Sequence, residues 1–237
     1  MRAIILAGGK GTRLRPYTYV LPKPLMPIGG EHPILEIIVK QLKNYDFNHI
    51  TIAINYLANI IQALFEDGSN MGIKIDYSLE KKPLGTVGPL TLIKDLPDNF
   101  FVMNGDLLTD LNYKELFNWH VNNENDITVA TYKKKYQNKS GVLRFNEEYD
   151  IIEFIEKPIN YSYINMGIYC LNKKVIENLP KNKQCGFDKI IIDAIKNNLK
   201  VKAYLHNKYW LDIGRTKDYQ AANDFYLEHK DKFLKIE

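Results

Sequence analysis

A glycine-rich segment with two arginines follows the first apolar run of the chain. The segment AIILAGGKGTRLRP starts at Ala3; its apolar run ends at Gly8 and Gly9, and Arg13 and Arg15 come soon after. Glycines at a strand end let the backbone approach a ligand closely, and arginines suit an anionic ligand. The spacing matches neither a Walker A loop nor the GxGxxG dinucleotide fingerprint. The segment predicts an anion site, with a tight strand exit carrying surface arginines as the alternative.

A single lysine lies among three prolines in the segment PKPLMP, which starts at Pro22. Prolines restrict φ and stiffen the chain, so Lys23 is expected to be a positioned cation. The alternative is an ordinary proline-rich loop. Arg13 and Lys23 together would bring two positive charges to one phosphate cluster, which suits a triphosphate.

Two aspartates follow apolar stretches that are far apart in the sequence. Asp106 ends the segment MNGD, and Asp212 lies in YWLDIG. Mg²⁺ takes few protein oxygens and shares phosphate oxygens, so two such carboxylates could converge on one metal ion. The alternative for Asp106 is a role as a turn or helix-capping residue.

Two further segments could contact the organic parts of a substrate. In PLGTVGPL, the small residues Gly85 and Thr86 would permit close approach of a flat ring or a ribose, and Glu80 lies just upstream. Glu156 and Lys157 end a predicted strand, where they could bind sugar hydroxyls and a second phosphate. The alternative for this pair is an exposed ion pair.

Strand and helix patterns alternate around these residues, as in a mostly parallel sheet covered by helices on both faces. In the first half, strands are predicted at residues 4–6, 50–54, 73–77 and 100–103, and helices at 35–42, 60–65, 84–93 and 113–120. The second half is richer in strands, predicted at residues 127–131, 141–145, 151–155, 164–170 and 201–205, with helices at 190–195 and 219–225. Ligands bind beyond the carboxyl ends of strands in such sheets, which selects Gly8, Asp106 and Asp212.

Composition describes an ordinary globular chain. The 237 residues are 45% hydrophobic and 25% charged, which predicts one domain with two lobes at about residues 1–125 and 126–237. The net charge of +4 is mild, and the densest basic spot, residues 133–135, is expected to be a solvated loop; no nucleic acid partner is predicted. No apolar run reaches membrane-spanning length, and the two cysteines have no metal-site or disulfide spacing, which fits the cytoplasm.

Taken in order, the motifs GGKGTRLRPYTYVLPKPLMPIG, PLGTVGPL, MNGDLLTD, EKP, NMGIY and YWLDIGR resemble the sugar-1-phosphate nucleotidyltransferase family, most closely its mannose-1-phosphate guanylyltransferase branch. The resemblance covers about residues 1–225. It implies a Rossmann-like mixed α/β sheet flanked by helices, with a β-rich sugar-binding part. It also implies that an NTP and a sugar 1-phosphate give an NDP-sugar and pyrophosphate, with Mg²⁺. Relatives are often dimers or tetramers, and many carry a C-terminal left-handed β-helix that this chain is expected to lack.

The resemblance also implies residue roles, carried over motif by motif. Nucleotide binding falls to Leu6, Ala7, Gly8, Gly9, Gly11, Thr12, Arg13, Lys23, Glu80, Gly85 and Thr86. The catalytic residues are Arg13, Lys23 and Asp106, and the Mg²⁺ ligands are Asp106 and Asp212. Sugar-phosphate binding falls to Asn104, Gly141, Glu156, Lys157, Asn165 and Gly167. Lys139 and Ser140 stand before Gly141 where relatives have an aromatic residue or a Phe-Gly step, which puts that edge of the sugar site in doubt.

The identity of the base depends on Glu80. A carboxylate accepts hydrogen bonds from both N1–H and N2–H of guanine, whereas uracil and thymine present one N3–H between two acceptors, so Glu80 favours GTP. The alternative is a surface charge beside Lys81 and Lys82. The sugar is open among mannose, heptose, glucose and N-acetylated sugars. Two other functions stay in view: a glucose-1-phosphate nucleotidyltransferase that uses UTP, dTTP or CTP, and a catalytically silent relative that binds NDP-sugars.

Overall fold

The computed structural model describes residues 1–177 and 179–234. Its strands are β1 Arg2–Leu6, β2 Pro27–Ile28, β3 His32–Pro33, β4 His49–Ile54, β5 Lys74–Leu79, β6 Asn99–Asn104, β7 Leu107–Thr109, β8 Ile127–Gln137, β9 Val142–Phe145, β10 Ile151–Ile155, β11 Ile159–Asn172, β12 Val201–His206 and β13 Trp210–Asp212. Its helices are α1 Ile34–Asn44, α2 Ala58–Phe65, α3 Tyr113–Asn122, α4 Lys174–Glu177, α5 Phe187–Lys196, α6 Thr216–Glu228 and α7 Lys230–Phe233.

The central sheet has seven strands in the order β12-β8-β11-β6-β1-β4-β5. Neighbouring strands are parallel, except that β11 runs antiparallel to both β6 and β8. The predicted mixed α/β fold is confirmed. The sheet is continuous across residue 125, and the proposed boundary between two lobes stays a prediction.

Both faces of the sheet are buried because its central strands are apolar at successive positions rather than alternate ones. In β6, Phe101 and Met103 pack into the core on one face, with the apolar side of α1. Phe100 and Val102 point the other way, into a second core with residues of α5. Among the described helices, none has both the length and the apolar character needed to cross a membrane.

Parallel pairing brings the carboxyl ends of β1, β4 and β6 to one edge of the sheet. Leu6 is in register with Asn104 on one side and with Ala53 on the other. The backbone N–H of Gly105 donates to the carbonyl of Leu6 at 2.9 Å, which ties the segment after β6 to the end of β1. The glycine-rich segment and the Asp106 segment therefore leave the sheet side by side.

The prediction of a helix at residues 84–93 is wrong. Only a short 3₁₀ helix forms there, at Gly88–Leu92. Gly85 has φ +79°, which lies outside the helical region, and the N–H groups of Val87 and Gly88 donate to the carbonyl of Cys185 at 2.9 and 3.3 Å. Backbone bonds to a distant loop thus replace the bonds that a helix would make within the segment.

A hairpin arm, here called the arm and comprising residues 133–163, extends beyond the central sheet. The β12–β8 pairing ends at Tyr132, and the β6–β11 pairing involves only residues after 167. From Lys133 to Gln137, β8 pairs only with β11 among the described strands. The antiparallel strands β9 and β10 then continue the arm to its tip at residues 146–150.

Candidate active site

A cleft of about 420 Å³ lies beyond the carboxyl ends of β1 and β6. Every residue predicted to bind the nucleotide lines it, together with two residues predicted for other roles. The set is Leu6, Ala7, Gly8, Gly9, Gly11, Thr12, Arg13, Lys23, Glu80, Gly85 and Thr86, with Asn104 and Asp106. The structure thus brings four separate sequence motifs to one cleft. What these residues bind stays a prediction.

Lys23 is a buried cation at the floor of this cleft. Its side chain is only 9% exposed, and the residue lies in a 3₁₀ helix at Lys23–Leu25 that Pro22 precedes. Its ammonium group forms an ion pair with Asp106 Oδ2 and lies 3.8 Å from Asp212 Oδ1. The lysine is therefore positioned, as the prolines indicated, and the two aspartates converge from opposite halves of the chain.

The carboxylates of Asp106 and Asp212 have two features that would favour an added cation. Asp106 Oδ1 is buried and has no hydrogen-bond partner. Removal from water and the neighbouring Asp106 raise the pKa of Asp212, while Lys23 and Arg13 oppose that shift. An added cation would relieve both conditions. In the described residues, no group of three or more His, Cys, Asp or Glu could hold a metal ion. The pair fits Mg²⁺ only if phosphate oxygens complete its coordination.

Arg13 reaches the cleft from a 3₁₀ helix at Thr12–Leu14. Gly11 precedes that helix with φ +59°, and the Thr18 hydroxyl donates to the Gly11 carbonyl at 2.8 Å. The guanidinium lies against Gly214, where a Cβ would come within 3.3 Å of Arg13 Nη1. Gly214 therefore leaves the space that Arg13 occupies.

Arg15 does not join Arg13. Its guanidinium lies 4.8 Å from the centre of the Tyr19 ring, and it is absent from the lining of the cleft. Both Arg15 and Tyr19 are exposed. Of the two arginines in the glycine-rich segment, one faces the cleft and the other stacks on a surface tyrosine.

Glu80 is buried, not a surface charge like its neighbours Lys81 and Lys82. Its Oε2 accepts from the backbone N–H of Leu84 at 3.0 Å, and a Cβ at Gly8 would approach Oε1 to 2.8 Å. Burial raises the pKa of Glu80, and the Leu84 N–H partly opposes that shift. One oxygen is thus anchored, and the carboxylate lies beside the glycine-rich segment at the cleft wall.

Thr86 has a structural contact as well as a place in the lining. Its hydroxyl oxygen accepts from the backbone N–H of Phe187 at 3.1 Å, at the start of α5. The carbonyl of Leu84 accepts from the N–H of Cys185 at 2.9 Å. This wall of the cleft is therefore held by the segment before α5.

The residues predicted to bind the sugar phosphate fall into two groups. Asn104, Asn165 and Gly167 form the first group. Gly167 has φ +73°, and a Cβ there would clash with Asn104 Nδ2 at 2.5 Å. Asn165 Oδ1 accepts from the Gly167 N–H at 2.8 Å, and Asn165 Nδ2 donates to the Tyr169 hydroxyl at 2.7 Å. The β11–β8 register shifts between Asn165 and Tyr169, which places Gly167 on a bulge.

Gly141, Glu156 and Lys157 form the second group, in the arm. A Cβ at Gly141 would lie 2.5 Å from the Phe154 ring and 3.2 Å from Glu156 Oε2. Lys157 Nζ lies 3.4 Å from Glu156 Oε1, and both side chains are more than half exposed. None of the three lines the cleft. The structure therefore does not gather the predicted sugar-phosphate residues into one site.

Several residues of the cleft lining were not predicted. They are Pro24, Pro83, Leu84, Pro89 and Gly214. Four of them adjoin a predicted residue in the sequence or share its motif, and Gly214 follows Asp212 by two positions. Gly214 itself was the sequence signal for its place in the lining, because a glycine permits another group to approach the backbone closely. Here the approaching group is the Arg13 guanidinium.

The chain is similar to known proteins over most of its length. The profile of the nucleotidyl transferase family matches residues 2–229. The chain is 36% identical to "Probable mannose-1-phosphate guanylyltransferase 1" of Oryza sativa subsp. japonica, over 96% of this chain and 65% of that protein. It therefore spans slightly less than two thirds of that relative's length.

Two solved structures share the fold. A Bacillus anthracis protein, provisionally named a glucose-1-phosphate thymidylyltransferase and solved with a sucrose, has a TM-score of 0.77 and 26% identity, with 95% of this chain and 94% of that one covered. HddC from Yersinia pseudotuberculosis, complexed with GMP-PN, has a TM-score of 0.72 and 28% identity, with 95% and 99% covered.

Proposed function

Because the chain belongs to the nucleotidyl transferase family, we propose that it joins a nucleoside triphosphate to a sugar 1-phosphate, giving an NDP-sugar and pyrophosphate. The observation that carries the proposal is the contact of Lys23 with Asp106 and, more distantly, with Asp212 at the floor of a glycine-lined cleft. GTP is the nucleotide and mannose 1-phosphate the sugar phosphate that we favour.

The chain's first task is to hold two anions that repel each other. The backbone at Gly8, Gly9 and Gly11 can approach phosphates closely, since no side chain intervenes. Arg13 and Lys23 supply positive charge on two sides of the triphosphate. Holding both reactants in a reactive orientation removes much of the entropic barrier of a reaction between two molecules.

The substrates supply the nucleophile, which agrees with the lack of a recognised Ser-His-Asp or Cys-His arrangement in the sequence. An oxygen of the sugar phosphate attacks the α-phosphorus in line. The bond from that phosphorus to the bridging oxygen breaks, and pyrophosphate leaves with the electron pair. Lys23 and Arg13 stabilise the negative charge that grows on the leaving group.

Asp106 and Asp212 would hold the Mg²⁺ ion. When bound with the triphosphate, Mg²⁺ would neutralise charge on the phosphate oxygens and help to orient them. Lys23 pairs with the same carboxylates, so a bound Mg²⁺ would compete with its ammonium group for them. Asp106 Oδ1 offers a ligand atom to which no group among the described residues donates a hydrogen bond.

The choice of GTP rests on Glu80. Its carboxylate is buried at the cleft wall, where an ionised acceptor suits the two donors on the guanine edge. The relatives named mannose-1-phosphate guanylyltransferases and the HddC complex with GMP-PN support the same base. The similar structure from Bacillus anthracis is provisionally named a glucose-1-phosphate thymidylyltransferase, so UTP and dTTP are competing substrates to be tested.

A pyrophosphate-release screen tests the proposal. GTP, UTP, CTP, ATP and dTTP are each paired with mannose, glucose, heptose and N-acetylglucosamine 1-phosphates, with and without Mg²⁺. We expect the highest kcat/KM with GTP, mannose 1-phosphate and Mg²⁺, and a loss of about 10²–10³-fold in Asp106→Asn. Lys81→Ala, an exposed neighbour of Glu80, is the control. Product from no pair, with NDP-sugar binding intact, would contradict an enzyme and support a binding protein.

A further inference from the structure

The stretch that carries Arg13 into the cleft is held at few points. From residue 12 to residue 20, a range that the structure describes in full, Leu14 and Thr18 are buried and the other seven residues are exposed. Leu14 is apolar and belongs to the core, whereas Thr18 is polar and only 1% exposed. A hydroxyl is buried at low cost only where it makes a hydrogen bond. Thr18 is therefore the polar anchor of this stretch.

The hydroxyl of Thr18 acts on the carbonyl of Gly11. That oxygen accepts from the backbone N–H of Leu14 at 2.9 Å and from Thr18 Oγ1 at 2.8 Å. The first of these bonds closes the 3₁₀ turn in which Arg13 lies. Because both bonds end on one oxygen, Thr18 fixes the start of the turn from outside it.

The methyl group of Thr18 makes a separate contact. A Cβ on Gly11 would lie 2.9 Å from Thr18 Cγ2 and 3.1 Å from Lys23 Cβ, so this glycine lies between the two side chains. The methyl group thus packs Gly11 toward the stem of Lys23, while the hydroxyl holds the turn of Arg13. The two parts of one side chain can be removed separately.

Tyr56, which follows β4, supports Thr18 from the central sheet. Its hydroxyl lies 3.0 Å from the carbonyl oxygen of Thr18 and 3.1 Å from that of Tyr19, so its one hydrogen is shared between two acceptors. Strand β4 is the parallel neighbour of β1, from which the glycine-rich segment departs. Tyr56 therefore ties the anchored stretch to the same strands that hold the start of the segment.

We propose that Thr18 is a positioning residue, which places Arg13 for the transfer step through the Gly11 carbonyl, with Tyr56 as its support. The inference rests on the proposed function, in which Arg13 stabilises the leaving group. Thr18 and Tyr56 do not line the cleft, so they act through other residues and not on the substrate. A charge stabilises a transition state best when its location is fixed before the reaction, and the anchored turn supplies that fixation.

Two substitutions separate the hydroxyl of Thr18 from its methyl group. Thr18→Val keeps the shape and the packing on Gly11 but removes the hydroxyl, whereas Thr18→Ser keeps the hydroxyl. Pyrophosphate release is measured with GTP and mannose 1-phosphate, or with the pair that the screen selects. We expect kcat to fall about tenfold in Thr18→Val, the effect of one lost hydrogen bond, and to stay within about threefold in Thr18→Ser.

The support by Tyr56 has a matched control in the same stretch. Tyr56→Phe should lower kcat about fivefold, because the carbonyls of Thr18 and Tyr19 lose their shared donor. Tyr19→Phe removes an exposed hydroxyl and should leave kcat within about twofold. Equal effects of the two substitutions would refute the support that we assign to Tyr56.

A double-mutant cycle shows whether Thr18 acts through Arg13. In the Arg13→Ala background the guanidinium is already gone, so adding Thr18→Val should lower kcat by less than about twofold. A merely structural role would instead give the same tenfold loss in both backgrounds. Additive losses overturn the proposal, and so does a Thr18→Ser variant that is as impaired as Thr18→Val.

Hydrogen exchange followed by NMR tests the anchor without any substrate. The Leu14 amide should exchange about tenfold faster in Thr18→Val than in Thr18→Ser or the unaltered chain, while the amides of β1 keep their protection. Equal Leu14 exchange in all three folded proteins overturns the proposal. If the unaltered chain releases no pyrophosphate with any pair, the proposed function fails, and the Leu14 exchange rate still confirms or refutes the anchor.

Discussion

The cleft and the arm are built in opposite ways. At the cleft, β1 lies between β4 and β6 and is buried on both faces. Beyond its end, the Ala7 N–H donates to the carbonyl of Ala53 at 2.8 Å and the Gly105 N–H donates to the carbonyl of Leu6 at 2.9 Å, so both neighbouring segments hold it. In the arm, β8 and β11 have only each other, and their side chains face water. This difference shows that side chains can be positioned precisely at the cleft but not in the outer part of the arm. Phosphate chemistry, which needs groups held to within about half an ångström, can be supported at the cleft.

The largest expected effect contrasts two phenylalanines. Phe101 is fully buried, with its ring 5.3 Å from that of Phe47, whereas Phe154 in the arm is 62% exposed. Phe101→Ala should lower the free energy of unfolding by about 3–5 kcal/mol. Phe154→Ala should cost less than about 1 kcal/mol. Urea unfolding followed by circular dichroism measures both. Equal costs would break the contrast between a rigid sheet and a weakly supported arm.

Next come the two arginines of the glycine-rich segment. Arg13→Ala should lower kcat about 10²–10³-fold, because it removes a charge that stabilises the leaving group in the cleft. Arg15→Ala should stay within about threefold of the unaltered enzyme, since Arg15 lies over the Tyr19 ring and does not line the cleft. Steady-state pyrophosphate release gives both values. A similar loss of kcat in the two variants would contradict the assignment of Arg13, and not Arg15, to the cleft.

Glu80→Gln examines the cleft's preference for a base. We expect kcat/KM with GTP to fall about 10–100-fold, the effect of losing a hydrogen bond to a charged group, while UTP gains relative to GTP. With the unaltered enzyme, kcat/KM for GTP should decline as the pH falls through the raised pKa of Glu80, because protonation removes an acceptor. The GTP-to-UTP ratio at several pH values tests both statements. A ratio that ignores the substitution and the pH contradicts guanine recognition by Glu80.

The smallest expected effect lies in the arm. Lys157→Ala should raise KM for the sugar 1-phosphate about tenfold, with kcat nearly unchanged, because an exposed lysine adds one charged hydrogen bond. Arg144→Ala, whose side chain pairs with Glu153 in the same arm, is the control. A large loss of kcat in Lys157→Ala would show that the arm takes part in the chemical step and would erase the contrast with the cleft.

Sequence patterns predicted the cleft well because its determinants are local. An apolar run followed by glycines marks the end of a strand, and parallel strands bring such ends together, so the convergence of Gly8, Asp106 and Asp212 could be foreseen. The spacing of apolar residues likewise located α1, α3 and α5. These features depend on the period of each element and on one rule of sheet topology.

The features that the sequence did not predict correctly depend on contacts between distant parts of the chain. Leu84 to Ile93 has helical spacing, but Gly85 and the backbone of Cys185 impose a different path. The pairing of Lys23 with both aspartates depends on side-chain placement that no spacing reveals. Lys133 to Lys135 were expected in a solvated loop. They lie in β8, a strand that continues beyond its neighbours, and strand length within a sheet is set by what the other strands cover.

Strand β8 belongs to two cooperative units. Up to Tyr132 it lies between β11 and β12, and from Lys133 onward it has one neighbour. Backbone amides in a sheet exchange their hydrogens with water through opening events whose free energy depends on local packing. Protection along this single strand should therefore drop sharply after Tyr132.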